Sequence, residues 1–257
     1  MKKTLIALAA VASVVPSFAS AQAAAPAASP LTGNFTLTSD YRFRGISQSF
    51  KLPAVQGGID WAHDSGFYLG NWNSSISGNQ YPNGASLEMD FYGGYKFPLG
   101  SDVTLDVGAL YYYYPGAFYN GFSGKPKYDN LELYLGAVFG PFSGKIYYAL
   151  SDFFGLDETT GGKGSSGSYY LDFNYSTEIL PKTTLLAHIG YQSVKNYSNL
   201  SYTDYKIGVT YDWTGWLLGA AFVGTNAKTT PYTVLDASGS SKFVGNNTVV
   251  LSIGKTF

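Results

Sequence analysis

The chain has 257 residues, enough for one large domain, with 45% apolar, 17% aromatic and only 13% charged residues. So little charge with so many aromatics excludes disorder, and a net charge of -1 leaves no basic footprint for a nucleic-acid partner. The absence of cysteine removes disulfides, thiol catalysis and Cys-based metal sites.

The N-terminus reads as an export signal. Lys2 and Lys3 precede an apolar run from Leu5 to Val15. That run, roughly 11 residues, suits a signal h-region and falls short of the ~20 needed to cross a bilayer as a helix. Ala19-Ser20-Ala21 offers a small-residue cleavage site, so residues 1–21 form the expected signal peptide. The Ala/Pro-rich stretch 22–30 reads as a flexible leader, and residues 31–257 as the folded domain.

From there the hydropathy pattern has period two. In 34–44, Phe35, Leu37, Tyr41 and Phe43 alternate with Asn34, Thr36, Asp40, Arg42 and Arg44. In 86–97, Leu87, Met89, Phe91 and Tyr95 alternate with Glu88, Asp90 and Lys96. In 203–213, Tyr205, Ile207, Val209, Tyr211 and Trp213 alternate with Asp204, Lys206 and Asp212. Strands are expected over 33–44, 54–63, 66–74, 86–97, 102–114, 128–139, 142–152, 168–179, 183–193, 203–213, 216–225 and 246–257. The parity of 66–74 is ambiguous, because Phe67, Tyr68, Leu69 and Trp72 supply apolar groups to both sides. Most of these strands exceed the globular mode of ~5–6 residues and match the ~9–11 that a tilted strand needs to cross a bilayer.

The connections alternate between long and tight, the tight ones being 63–66, 98–101, 140–141, 180–182 and 214–215. An up-and-down antiparallel barrel of about twelve strands in an outer membrane predicts this alternation, with tight periplasmic turns and long external loops. Apolar-face aromatics sort to two heights. Trp61, Tyr95, Phe97, Phe139, Phe142, Trp213, Trp216 and Phe257 lie near the tight turns; Tyr41, Phe43, Tyr111, Tyr113, Tyr169, Tyr191 and Tyr205 lie near the long loops. Two aromatic girdles facing lipid are therefore expected. The terminal Phe257, on the parity of Val249, Leu251 and Ile253, looks like an outer-membrane assembly signal for the barrel-assembly machinery.

The opposite faces carry the candidate pore-lining residues: Asp40, Arg42, Arg44, Asp60, Glu88, Asp90, Lys96, Asp106, Glu132, Lys145, Asp172, His188, Asp204 and Lys206. Mixed charges inside a barrel can line a water-filled path or pair off and plug it. Tyr92, Tyr112, Tyr134, Tyr147 and Tyr170 narrow any channel, and twelve strands fall between a filled barrel and a wide pore. Acids outnumber bases on these faces, and Glu88, Asp90, Asp106 and Glu132 on consecutive strands suggest an acidic wall with weak cation preference. Arg42 and Arg44, placed on the first strand, suggest an opposing basic rim.

Enzyme motifs fail on context. Gly162-Lys163-Gly164-Ser165-Ser166-Gly167 fits GxGxxG, but a strand pattern follows it instead of a helix. His188 has no identifiable serine partner for a lipid hydrolase and reads as a lumenal hydrogen-bonder. No cofactor is expected.

Ser39-Asp40-Tyr41-Arg42-Phe43-Arg44-Gly45-Ile46-Ser47-Gln48-Ser49 resembles the N-terminal signature of the TorF family of porins. Pro53 to Gly58, Gly66 to Trp72, Glu88-Met89-Asp90 with Gly93-Gly94-Tyr95, and the ending Leu251 to Phe257 resemble it too; Asn71 departs where Thr is common. The resemblance implies a Gram-negative outer-membrane barrel acting as a channel, and names no substrate. The expected activity is passive diffusion of small hydrophilic solutes. The rivals are a closed structural or surface-binding barrel, an outer-membrane lipid-modifying enzyme, and a soluble lipocalin-like barrel with its apolar faces inward.

Overall fold

The structure is a computed structural model and describes residues 30–81, 85–119, 121–236 and 238–257. The expected signal peptide and nearly all of the leader lie outside the described residues.

Twelve strands close into an antiparallel barrel: β1 (Leu31–Thr38), β4 (Ala54–Ala62), β5 (Phe67–Ser75), β6 (Leu87–Leu99), β7 (Val103–Tyr113), β8 (Asn130–Phe139), β9 (Phe142–Ala149), β10 (Tyr169–Leu180), β11 (Thr183–Ser193), β12 (Tyr202–Trp213), β13 (Trp216–Thr225) and β16 (Thr248–Thr256). Two small hairpins sit in the long loops: β2 (Arg42–Phe43) with β3 (Ile46–Ser47), and β14 (Thr233–Leu235) with β15 (Ser241–Phe243). Each barrel strand pairs with its neighbours in sequence, and β16 pairs with β1 to close the ring. At that seam Gly33 and Phe257 exchange backbone hydrogen bonds of 2.7 and 2.9 Å. The Phe257 ring covers Gly33 so closely that a Cβ there would meet it at 2.7 Å. Among the described residues no helix is long and apolar enough to cross a membrane.

The alternation fixes which side faces out. Leu133, Val107, Ile146, Ile207 and Ala220 are exposed on the outer surface at mid-height, Leu133 to 45%. Trp61, Phe139, Phe142, Trp213, Trp216 and Phe257 stand exposed at the tight-turn end, and Tyr111, Tyr191 and Tyr205 at the long-loop end. β5 resolves its ambiguous parity with Phe67 and Leu69 outside and Trp72 fully buried inside. A lipocalin-like arrangement would need the reverse, so the apolar belt on the outside overturns that rival. Asn71 and Asn73 share the outer face of β5. Their amide nitrogens are partnered locally: Asn73 Nδ2 donates to Asn71 Oδ1 at 2.6 Å, and Asn71 Nδ2 to the Asp90 carbonyl at 3.1 Å.

The expected strand 33–44 is the main correction. β1 ends at Thr38, and residues 39–53 fold into the barrel instead of lengthening its wall. Tyr41, expected in the outer girdle, is 2% exposed inside, and Phe43 packs edge-on against Tyr112 and Phe154. The turn responsible is Arg44-Gly45, at φ +46° and +78° between the paired ends of β2 and β3. Two successive positive φ values are what a two-residue hairpin of the I′ class requires. Gly45 fits for a second reason: a Cβ there would lie 2.5 Å from Thr225 and 2.8 Å from Asp204 on the wall.

The long loop 150–168 carries the glycine-rich segment. Within it Asp157 caps the single 3-10 turn Glu158–Thr160, and its carboxyl is held below its ordinary range by the Thr159 hydroxyl and by backbone amides. β10 follows this segment directly, so the GxGxxG match has no helix to open.

Candidate functional site

The lumen divides into two sectors with different fillings. Along β5 to β10 the inward positions are dominated by tyrosine: Tyr68, Tyr92, Tyr112, Tyr134, Tyr147 and Tyr170. Their rings touch one another and their hydroxyls reach acids. Tyr68 donates to Asp106 at 2.6 Å and also meets the Tyr134 hydroxyl; Tyr92 donates to Asp60 at 2.5 Å. Along β1, β16, β13 and β12 most inward positions are shorter, with Thr36, Thr38, Ser252, Gly219, Ala221 and Thr210 beside Val223, Val250 and Lys206. A cavity of about 100 Å³ follows this second sector. Alternate side chains of a strand face the same way, so side-chain size at every second position decides where space is left.

The inward loop 39–53 roofs that cavity with Asp40, Tyr41 and Arg42 and plugs the other sector. Its anchor is Arg44, 7% exposed and on the far side of the lumen from its own strand. One guanidinium nitrogen donates to Glu132 on β8 at 2.6 Å, and another to Gln192 on β11 at 2.6 Å. The group also lies 5.4 Å from the Tyr147 ring centroid and 4.3 Å from that of Tyr170. β9 and β10, which carry these rings, stand diametrically opposite β1 and β4 in the ring order. Arg42 ties the loop to the last long loop, donating to the Val244 and Asn246 carbonyls at 3.1 and 2.9 Å and to Asp40 at 2.7 Å. Tyr41 stacks edge-on with Trp72 and donates to Glu88 at 3.0 Å. Ile46 and Phe50 pack with Tyr202, Ala227 and Val244.

The structure places the remaining candidate residues as follows. Lys145 pairs with Asp106 at 2.8 Å, so β9 neutralises an acid two strands away on β7. Lys96 lies over the Tyr68 ring at 4.6 Å. His188 is held from both sides: Nδ1 meets Asp172 and Asn174 at 3.0 Å, and Nε2 meets Asp204 at 2.8 Å and Tyr170 at 3.1 Å. Among the described residues the hydrogen-bond partners of His188 are Asp172, Asn174, Asp204 and Tyr170. Among the described residues no group of three His, Cys, Asp or Glu side chains could hold a metal. Asp90 is 1% exposed, and neither of its oxygens has a hydrogen-bond partner among the described residues.

The sequence matches a family described as a bacterial protein of unknown function, Gcw_chp, over residues 21–257. The chain belongs to the Gcw_chp family. No curated protein matches this Gcw_chp sequence. Among solved structures the chain is similar to the KdgM porin, with TM-score 0.52 and 10% identity over 88% of this chain and 98% of that one. It is similar also to the NanC porin, with TM-score 0.53 and 12% identity over 88% and 98%. A second KdgM structure, in complex with disordered oligogalacturonate, matches at TM-score 0.51 and 10% identity, over 88% and 97%. At such identities the likeness shows a shared barrel fold.

Two expectations about charge are corrected. Arg42 and Arg44 are not a basic rim on the wall, because both belong to the inward loop. The acids Glu88, Asp90, Asp106 and Glu132 do face the lumen, but in the tyrosine-filled sector, and none lines the cavity. Asp106 is paired to Lys145 and Glu132 to Arg44. The acidic wall therefore does not border the open space, and the expected cation preference loses its basis. Gln192, Gln48 and Asn130 carry the loop and its surroundings without having been singled out by charge. The one sequence signal for the loop is Gly45 followed by the polar run Ser47-Gln48-Ser49.

Proposed function

We propose that this protein is an outer-membrane channel for passive diffusion of small hydrophilic solutes, with residues 39–53 setting its constriction. One observation carries the reading: a closed barrel with an apolar outer belt holds a cavity that the hydroxyls of Thr36, Thr38, Thr210 and Ser252 and the charges of Asp40, Arg42 and Lys206 share with small apolar side chains. A closed sheet is one of the two ways a chain satisfies its backbone in lipid, and long loops at one end with tight turns at the other suit an outer-membrane orientation. The sequence of residues 1–21, which reads as an export signal, and the resemblance to TorF porins support the same reading. Lipid is the partner of the belt, and Phe257, exposed at the seam, is the group offered to the barrel-assembly machinery.

Purified protein in planar bilayers is expected to give discrete current steps in KCl. The loop's hold on the far wall favours a second reading, a barrel that stays shut and serves a structural or surface-binding role. No current from the wild-type protein or from a loop-released variant selects that second reading.

Orientation has its own test. An epitope inserted at Gly164 or Ser240, in the long loops, is expected to be labelled on intact cells, and one at Gly100, in a tight turn, is not. Labelling of the Gly100 insertion on intact cells overturns the topology.

A further inference from the structure

We propose that the outer face of β5 is the surface by which a second copy of this chain docks in the membrane. The inference needs the belt to face lipid and holds whether or not the barrel conducts. The outward positions of β5 are Phe67, Leu69, Asn71, Asn73 and Ser75, so hydrocarbon gives way to polar groups halfway along the strand. Asn71 stands near mid-height. Its row of the ladder starts at Gly33, beside Phe257 at the tight-turn end, passes Ile59, and continues through Phe91 to Tyr111 of the long-loop girdle. Asn71 is two strands from either end of that row. Among the described residues, the outward positions of the other wall strands carry no amide side chain.

Lipid tails offer no hydrogen bond, so a polar group in the belt costs free energy unless protein satisfies it. The chain does this only in part. Asn73 Nδ2 and Asn71 Nδ2 each have an acceptor, but Asn73 Oδ1 has no hydrogen-bond partner among the described residues. An amide nitrogen carries two hydrogens and an amide oxygen two lone pairs, so Asn71 keeps one of each to offer. That pair of groups is its own complement, donor to acceptor and acceptor to donor. Copies inserted in the same direction are related only by an axis along the membrane normal. A two-fold of that kind, the commonest closed symmetry, brings Asn71 to Asn71 of the partner subunit at equal depth. The stripe carries no charge, so nothing repels an identical surface. Gly57 lies directly beside Asn73 on β4 and has no side chain to hold the partner away, and small residues let backbones approach closely in lipid. Val55, Ile59, Leu69 and Phe91, each at least 44% exposed, supply apolar surface around the amides.

The chain contains no cysteine, so single thiols can be addressed alone. Ser75→Cys lies on the stripe, next outward position after Asn73; Ile189→Cys lies on the outer face of β11, across the ring from β5. Each protein would be refolded into phosphatidylcholine vesicles at several protein densities and treated with a short bismaleimide. Ser75→Cys is expected to give a covalent dimer that persists on dilution in lipid, and Ile189→Cys is not. Adding Asn71→Leu and Asn73→Leu to Ser75→Cys is expected to lower the dimer yield about ten-fold, the factor that the loss of two amide hydrogen bonds imposes, with heat modifiability retained. The comparison of the two thiols decides the matter even where the leucine variant fails to fold. Without cross-linker, single-molecule photobleaching of the wild type labelled at its N-terminus is expected in two steps. Equal cross-linking at both thiols, single-step bleaching, or a dimer that the leucine pair leaves intact overturns the proposal. A cross-link in native membranes to a different protein in place of a second copy overturns it as well.

Discussion

Replacing Leu133 with arginine is expected to block assembly of the barrel. Leu133 stands at mid-height on the outer face of β8, 45% exposed, among Val107, Ile146 and Leu135. An arginine at the bilayer midplane costs roughly 2–4 kcal/mol, a large share of the margin of a typical fold. The readout is the fraction of heat-modifiable, folded barrel on cold gels after refolding into lipid vesicles. Ser252→Arg, whose side chain enters the cavity, is expected to fold to near wild-type yield. Folding of the first variant with failure of the second would reverse the sidedness of the sheet.

The neighbouring residue is not a neutral control, although parity alone suggests so. Glu132 points inward, but it is 1% exposed and bound to Arg44, so Glu132→Arg would press two guanidinium groups together. Sidedness is readable from the sequence; occupancy of the inside is not.

The second large effect is expected from Arg44→Ala. The variant removes the ion pair with Glu132, the hydrogen bond to Gln192 and the stacking on Tyr147 and Tyr170 at once. Breaking one side of a buried pair typically costs about 3–5 kcal/mol, because the stranded partner keeps its desolvation penalty. Here the loss falls on docking of residues 39–53, while the twelve-strand ladder is untouched. Unit conductance is expected to rise several-fold, and the loop to become sensitive to protease, with heat modifiability unchanged. Glu132→Gln should reproduce part of the change, and the double variant should add less than the sum, as residues of one network do. Unaltered conductance together with an unaltered protease pattern would remove Arg44 from the gate.

Most of the wall was legible because a barrel strand obeys one strict rule. Eleven of the expected strands overlap their observed counterparts closely, from Ala54–Ala62 to Thr248–Thr256. The first failed because a lumenal hairpin obeys the same alternation. Tyr41 and Phe43 continue the parity of Phe35 and Leu37, yet the chain leaves the sheet at Ser39 and rotates those rings inward. The charged candidates fell on the inner face for the same reason of period. Which acids are neutralised was not legible, since Arg44 with Glu132 and Lys145 with Asp106 depend on positions across the lumen or two strands apart. The division of the lumen follows from residue size, Tyr on β5 to β10 against Gly, Ala, Ser and Thr on β13 and β16. That contrast is present in the sequence but becomes spatial only once the ring order is known.

The seam between β1 and β16 has a kinetic consequence. Its ladder joins Asn34 to Thr256, so the contact that closes the ring spans almost the whole folded chain. Until it forms, β1 or β4 at one side and β16 or β13 at the other are unpaired edges with an apolar face. Pairings of such sequence separation form slowly, because loop-closure entropy must be lost before the contact returns anything. The partly wound sheet is thus the species most exposed to edge-to-edge association with other chains. Holding the Phe257 end beside Gly33 before the intermediate strands settle would shorten the lifetime of that open sheet.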